Sequence, residues 1–246
     1  MAQQQGPSRR DLLYARGYIA RMVGPMEAAR YFTRLLQFDE RHLQLMVSIL
    51  RGAFFIIHPA VHHVQPSPIQ VIANQPAWLL DYKSRGYGTV VPQRLYRDAQ
   101  SHPNVPLNMP IFFAHSELGT LGLRLAQARE GNIEGLLDGR APALVGDCNT
   151  TYIRIQWPGY NEWTSQITTR ETSPTQNTIT LETLAECVAD AVRRFLEIGA
   201  GQQCGLPAWQ VGGPGGITAD DIIIVGLIHV TQGSWQPILQ LERHIS

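Results

Sequence analysis

Between Thr180 and Gly199, Leu181, Leu184, Val188, Ala191, Phe195 and Ile198 recur at steps of three and four. That spacing lines them along one side of an α-helix, with Glu182, Glu186, Asp190, Arg193 and Glu197 on the other. Thr180 suits the N-cap and Gly199 the C-terminal stop. Nearer the start, Ser8 and Asp11 form a capping-box pair ahead of a helix running to Gly24, and Pro25 suits the first turn of a second. The same reading predicts a third helix from an Asp39 cap through Leu43, Met46, Ile49, Leu50, Ala53, Phe54 and Ile57, ended by Pro59.

From Val61 to Pro110 prolines punctuate the chain. A strand is expected over 69–73, and single helical segments over 78–82 and 93–98. A helix from a Ser116 cap to Gly131 follows, weakened by Gly119 and Gly122, then a short one over 133–137. The pattern changes at Thr151, where Ile153, Ile155 and Trp157 alternate with Tyr152, Arg154 and Gln156 as on a half-buried strand. Asn161 is read as the cap of a short helix holding Trp163 and Ile167. Ile222 to Val230 is apolar throughout and suits a strand covered on both faces. A turn at 231–234 leads into Trp235–Glu242, whose Pro237 predicts an edge or bulged strand.

These elements predict an α+β fold. A helical N-terminal part precedes a small, mostly antiparallel C-terminal sheet packed on the long amphipathic helix. Residues 1–7 are expected as a disordered tail and 8–60 as a helical subdomain. Residues 61–246 form the α+β part, in one continuous compact domain with 8–60.

Composition narrows the function classes. Twenty basic and 20 acidic residues cancel within 246, and charged residues make up only 16%, against about 25% in typical chains. No net field favours nucleic acid or an anionic membrane. The scarcity of charge instead hints at burial against partner chains. The first ten residues have neither the apolar stretch nor the cleavage site of a signal peptide. The most apolar run, Leu43–Ile57, is too short to span a bilayer, which takes about 20 residues. Cys148, Cys187 and Cys204 are an odd set without metal-ligand spacing and read as reduced thiols of an intracellular, cytoplasmic protein, so the Asn149-Thr150-Thr151 sequon is incidental.

Ile155-Gln156-Trp157-Pro158-Gly159-Tyr160 with Trp163 and Ile167, the Leu184/Val188/Phe195 helix and His229-Val230-Thr231-Gln232-Gly233-Ser234-Trp235 resemble uncharacterised proteins of mushroom-forming (basidiomycete) fungi, over about Thr151–Leu241. The resemblance implies an intracellular fungal protein and brings no activity, cofactor or site residue with it.

Four groups bear chemistry worth weighing. His58, His62 and His63 have partial metal-ligand spacing, but Pro59 breaks the helix that would align them and no further ligand follows closely, so no metal is expected. Cys148 followed by His229 has the chain order of thiol hydrolases, although Cys148 runs into a strand rather than a helix N-terminus. The loop Val211-Gly-Gly-Pro-Gly-Gly216 lacks the spacing and the Lys-Ser/Thr of phosphate loops, and Asp220 and Asp221 follow it. Trp157, Tyr160 and Trp163 concentrate aromatic surface able to bind a partner.

The sequence favours a non-enzymatic protein-interaction or assembly module, binding itself as a homo-oligomer or another protein, with no cofactor. The alternatives are a small hydrolase built on Cys148 and His229 or on a metal, and a small-ligand binding protein.

Overall fold

Ser8 opens the first helix through its side chain: its Oγ accepts from the Asp11 N–H and Asp11 Oδ2 accepts from the Ser8 N–H, both at 3.1 Å. In the computed structural model, which describes residues 7–37, 43, 46–57, 70–72, 75–97, 106–115, 121–129, 133, 135–143, 148–171 and 177–245, the expected single helix to Gly24 is split. Helix α1 spans Arg9–Arg16 and α2 spans Tyr18–Val23. The buried carboxyl group of Asp81 causes the break. Asp81 Oδ2 accepts the Ile19 N–H at 3.0 Å, capping α2, and a Cβ on Gly17 would come within 2.4 Å of it. Helix α3, Pro25–Leu36, begins at Pro25 as the sequence predicts.

The predicted third helix is a hairpin over most of its length. Strands β1 (Val47–Leu50) and β2 (Ala53–Ile56) pair antiparallel around Arg51-Gly52. Both turn residues have positive φ, 49° and 83°. Two consecutive left-handed residues match the twist of a two-residue hairpin, so residues 8–60 are not wholly helical. Strand β3 (Gln70–Ile72) falls where one was expected. Residues 78–82, read as helical, belong instead to strand β4 (Gln75–Tyr82), and a four-stranded sheet runs β1-β2-β4-β3.

The larger sheet has seven strands among the described residues. Two short ones, β5 (Thr89–Val90) and β6 (Ile111–Phe112), precede β7 (Leu123–Arg124), which leads into helix α4 (Leu125–Arg129). The expected helix to Gly131 is thus extended over 121–124. Gly122 has φ 95°, incompatible with a helix, and a Cβ there would come within 2.3 Å of Ile223 Cγ2. Residues 135–137 form a turn, with Leu136 bridged to His115. Strand β8 (Thr150–Ile155) alternates as predicted. Its partner β9 (Trp163–Thr168) occupies the place of the short helix assigned to Asn161; Ser165 and Ile167 turn inward while Thr164, Gln166 and Thr168 are exposed. Helix α5 (Leu181–Ala200) is N-capped by Thr180 Oγ1 accepting from the Thr183 N–H. The buried side of α5 is broader than its predicted stripe, adding Ala185, Ala189, Val192 and Leu196, while Ile198 is exposed.

Strands β10 (Ile222–Thr231) and β11 (Ser234–Leu241) form the centre, buried at every residue. The order is β6-β10-β11-β8-β9, with β5 also on β11 and β7 on β10; among the described strands only β11–β8 is parallel. One face, including Ile223, Val225, Ile228, Val230 and Ile238, packs on α1–α3 and the smaller sheet. The other, with Ile224, Leu227, Trp235 and Leu239, packs on α5. The fold is α+β, with a long helix and a C-terminal antiparallel sheet.

Pro237 does not mark an outer edge. It lies inside β11, opposite Leu227, between the stretches paired with β8 and β5. On that side Gln93 Nε2 donates to the Pro237 carbonyl at 2.7 Å. A side chain takes the place of a neighbouring strand where proline offers no donor.

Candidate functional site

Gln93 is the fixed point of a surface groove. Its backbone N–H bonds the Met22 carbonyl, and its Oε1 accepts from the Gln156 N–H and from Gln236 Nε2. One buried amide thereby ties the end of α2 and the end of β8 to β11. Around it, residues 21–24, 92–94, 156–160 and 205–206 enclose a groove of about 700 Å³. Arg21 and Arg94 line it, no acidic side chain does, and neither guanidinium has an ion pair among the described residues. Leu206, 51% exposed, adds an apolar wall. Such a surface can take up an extended segment carrying both acidic and apolar groups.

Trp157, Tyr160 and Trp163 do not form one exposed stacking face. They surround Phe195 of α5, at ring-centroid distances of 5.4, 5.7 and 6.2 Å. Trp157 is buried and donates its Nε1–H to the Trp209 carbonyl; Tyr160 Oη accepts from the Val211 N–H. Trp157 and Tyr160 still line the groove, so the aromatic cluster fixes one wall rather than offering itself as a platform.

Cys148 and His229 do not share a site. Cys148 is exposed, and its carbonyl accepts from Thr169 Oγ1. His229 is buried on β10, stacked on Trp235 at 4.5 Å, and its Nδ1 accepts the Asn108 N–H at 2.7 Å. The register sets His229 beside Trp235 and Trp235 beside Ile153. Cys148, five residues before Ile153 and two strands over, is on the order of 20 Å away at normal strand spacing. Burial pushes the His229 pKa down to about 4. With Nδ1 accepting, the proton sits on Nε2, which makes no hydrogen bond of normal geometry among the described residues.

His58, His62 and His63 lie outside the described residues, and among the described residues no group of three or more His, Cys, Asp or Glu could hold a metal. The glycine loop closes on itself, Gly212 N–H bonding Ile217 O and Ile217 N–H bonding Gln210 O. Asp221 turns back to accept from Thr218. No helix among the described residues is long and apolar enough to cross a membrane.

The groove was not legible beforehand. Arg21, Gln93 and Arg94 stand in no motif; the Gln93 bonds to Met22, Gln156 and Pro237 bring them together with the segment that holds Tyr160. No protein-family model matches the chain, and no curated protein or solved structure matches it either.

Proposed function

We propose that this chain is a non-enzymatic protein-interaction module of the cytoplasm, whose groove holds an extended, acidic segment of a partner protein. The observation carrying this reading is the convergence of Arg21 and Arg94, with no acidic side chain among the described residues, on a groove walled by Tyr160 and Leu206. Guanidinium groups present planar donors to carboxylates, and an apolar wall beside them favours a peptide over a free anion. Three free thiols suit a reducing compartment.

Calorimetric titration with three short peptides of equal length, rich in glutamate, rich in lysine or uncharged, tests it. The glutamate-rich peptide binds most tightly, and Arg21→Glu with Arg94→Glu abolishes that preference. Equal affinity for all three, or a preference that survives the double substitution, contradicts the groove's role. Hydrolysis of ester or amide substrates abolished by Cys148→Ser would instead support the thiol-hydrolase alternative.

A further inference from the structure

Among the described residues, strand β9 ends the seven-stranded sheet and pairs only with β8, residue for residue without a shift. The Thr169 N–H bonds the Asn149 carbonyl and the Tyr152 N–H bonds the Gly233 carbonyl. Odd-numbered residues of β9 therefore turn their backbone groups toward β8, and Thr164, Gln166 and Thr168 turn theirs outward. No hydrogen bond among the described residues occupies those outward groups, and all three side chains are exposed. Edge strands of this kind are normally blunted by lysine, proline, a bulge or very short length. β9, Trp-Thr-Ser-Gln-Ile-Thr, carries none of these.

We propose that β9 pairs antiparallel with β9 of a second copy about a two-fold axis at Gln166. Gln166 then faces the partner's Gln166, and Thr164 faces the partner's Thr168. This register engages every outward residue of both strands, each facing pair exchanging two backbone bonds; a shift of two residues either way leaves one unpaired. It also sets Glu162, two residues before Thr164, against the partner's Arg170, two residues after Thr168, so opposite charges meet at both ends. Glu162 is exposed and already bonded to Arg154 and Gln156, and the Arg170 guanidinium donates to Thr178 Oγ1. A guanidinium has five N–H donors and a carboxylate about four acceptor sites, so each can take on a further partner. Threonine pairs across strands add to the fit. A strand of another protein would have no reason to meet this self-matching charge order, and the isologous contact closes as a dimer. The inference rests on the interaction reading above but uses a different surface from the groove.

Sedimentation of the full chain from low to high micromolar concentration tests it. The chain dimerises, and Gln166→Pro, which removes an outward N–H without touching the β8 ladder, weakens the dimer at least about tenfold. Near-UV circular dichroism checks that this variant keeps its packing. Glu162→Lys and Arg170→Glu each weaken the homodimer, and an equal mixture of the two restores association. In a Cys148→Ser background, Gln166→Cys forms a symmetric disulfide on oxidation, since facing Cα atoms lie within bridging range. A chain that stays monomeric throughout overturns the proposal, as does a dimer indifferent to Gln166→Pro and to both charge reversals. Glutamate-peptide binding is unaffected by Gln166→Pro, so loss of either property separately identifies which reading has failed.

Discussion

Burial works against the charge of both Asp81 and His229. Burial pushes the Asp81 carboxyl up to about 8, opposing the backbone bonds from Ile19, Tyr82 and Tyr18 that favour its anion. Burial pushes His229 the other way, from 6.5 to about 4. Between about pH 4 and 8 the folded chain keeps a proton on Asp81 that the unfolded chain has released, so stability falls as pH rises. Between about 4 and 6.5 the unfolded chain binds a proton on His229 that the folded chain refuses, so this residue contributes in the opposite sense. The two offset until about 6.5, and the Asp81 loss stands alone from there to about 8, at most about 1.4 kcal/mol per pH unit. Urea denaturation at the two ends of that window should show the wild type less stable at the alkaline end. Asp81→Asn, whose amide oxygen can still accept from Ile19, should flatten the difference. Equal pH dependence in both chains would contradict this assignment. Nothing in the sequence marked Asp81, because its role depends on Gly17, which lies far away in the chain and next to it in space.

At the scale of elements, length and the surroundings decided what the sequence revealed. Helix α5 was legible because its apolar period persists over five turns and Thr180 caps it. Strand β10 was legible because an unbroken apolar run suits a strand covered on both faces. The β1–β2 hairpin reads as helix in the sequence because Met46, Ile49, Leu50, Ala53 and Phe54 satisfy the helical period as well as a strand pair, and Arg51-Gly52 is not one of the strong turn dipeptides. Strand β9 was missed although Thr164, Gln166 and Thr168 alternate with Ser165 and Ile167, because Asn161 offered a plausible cap. The orientation of α5 makes a direct prediction. Phe195→Ala removes the ring at the centre of Trp157, Tyr160 and Trp163 and should cost about 3–5 kcal/mol. Glu186→Ala, on the exposed side, should stay within about 0.5 kcal/mol. Comparable losses for both in chemical denaturation would show that the helix is docked the other way.

For the whole molecule, the seven-stranded sheet divides two apolar cores, and strands from distant parts of the chain complete it. That is why the predicted C-terminal sheet was right in kind while its extent was not: β5, β6 and β7 come from residues 89–124, where two-residue strands leave no period to read. The same long-range assembly creates the groove, whose walls come from α2, from residues 92–94, from the end of β8 and from 205–206. The central claim is that this groove receives a partner's acidic segment. Hydrogen exchange of the full chain with and without the glutamate-rich peptide tests it most directly. The account predicts slowed exchange in segments 21–24, 92–94, 156–160 and 205–206, lost in the Arg21→Glu, Arg94→Glu chain. Protection confined to other segments, or none at saturating peptide, would contradict it.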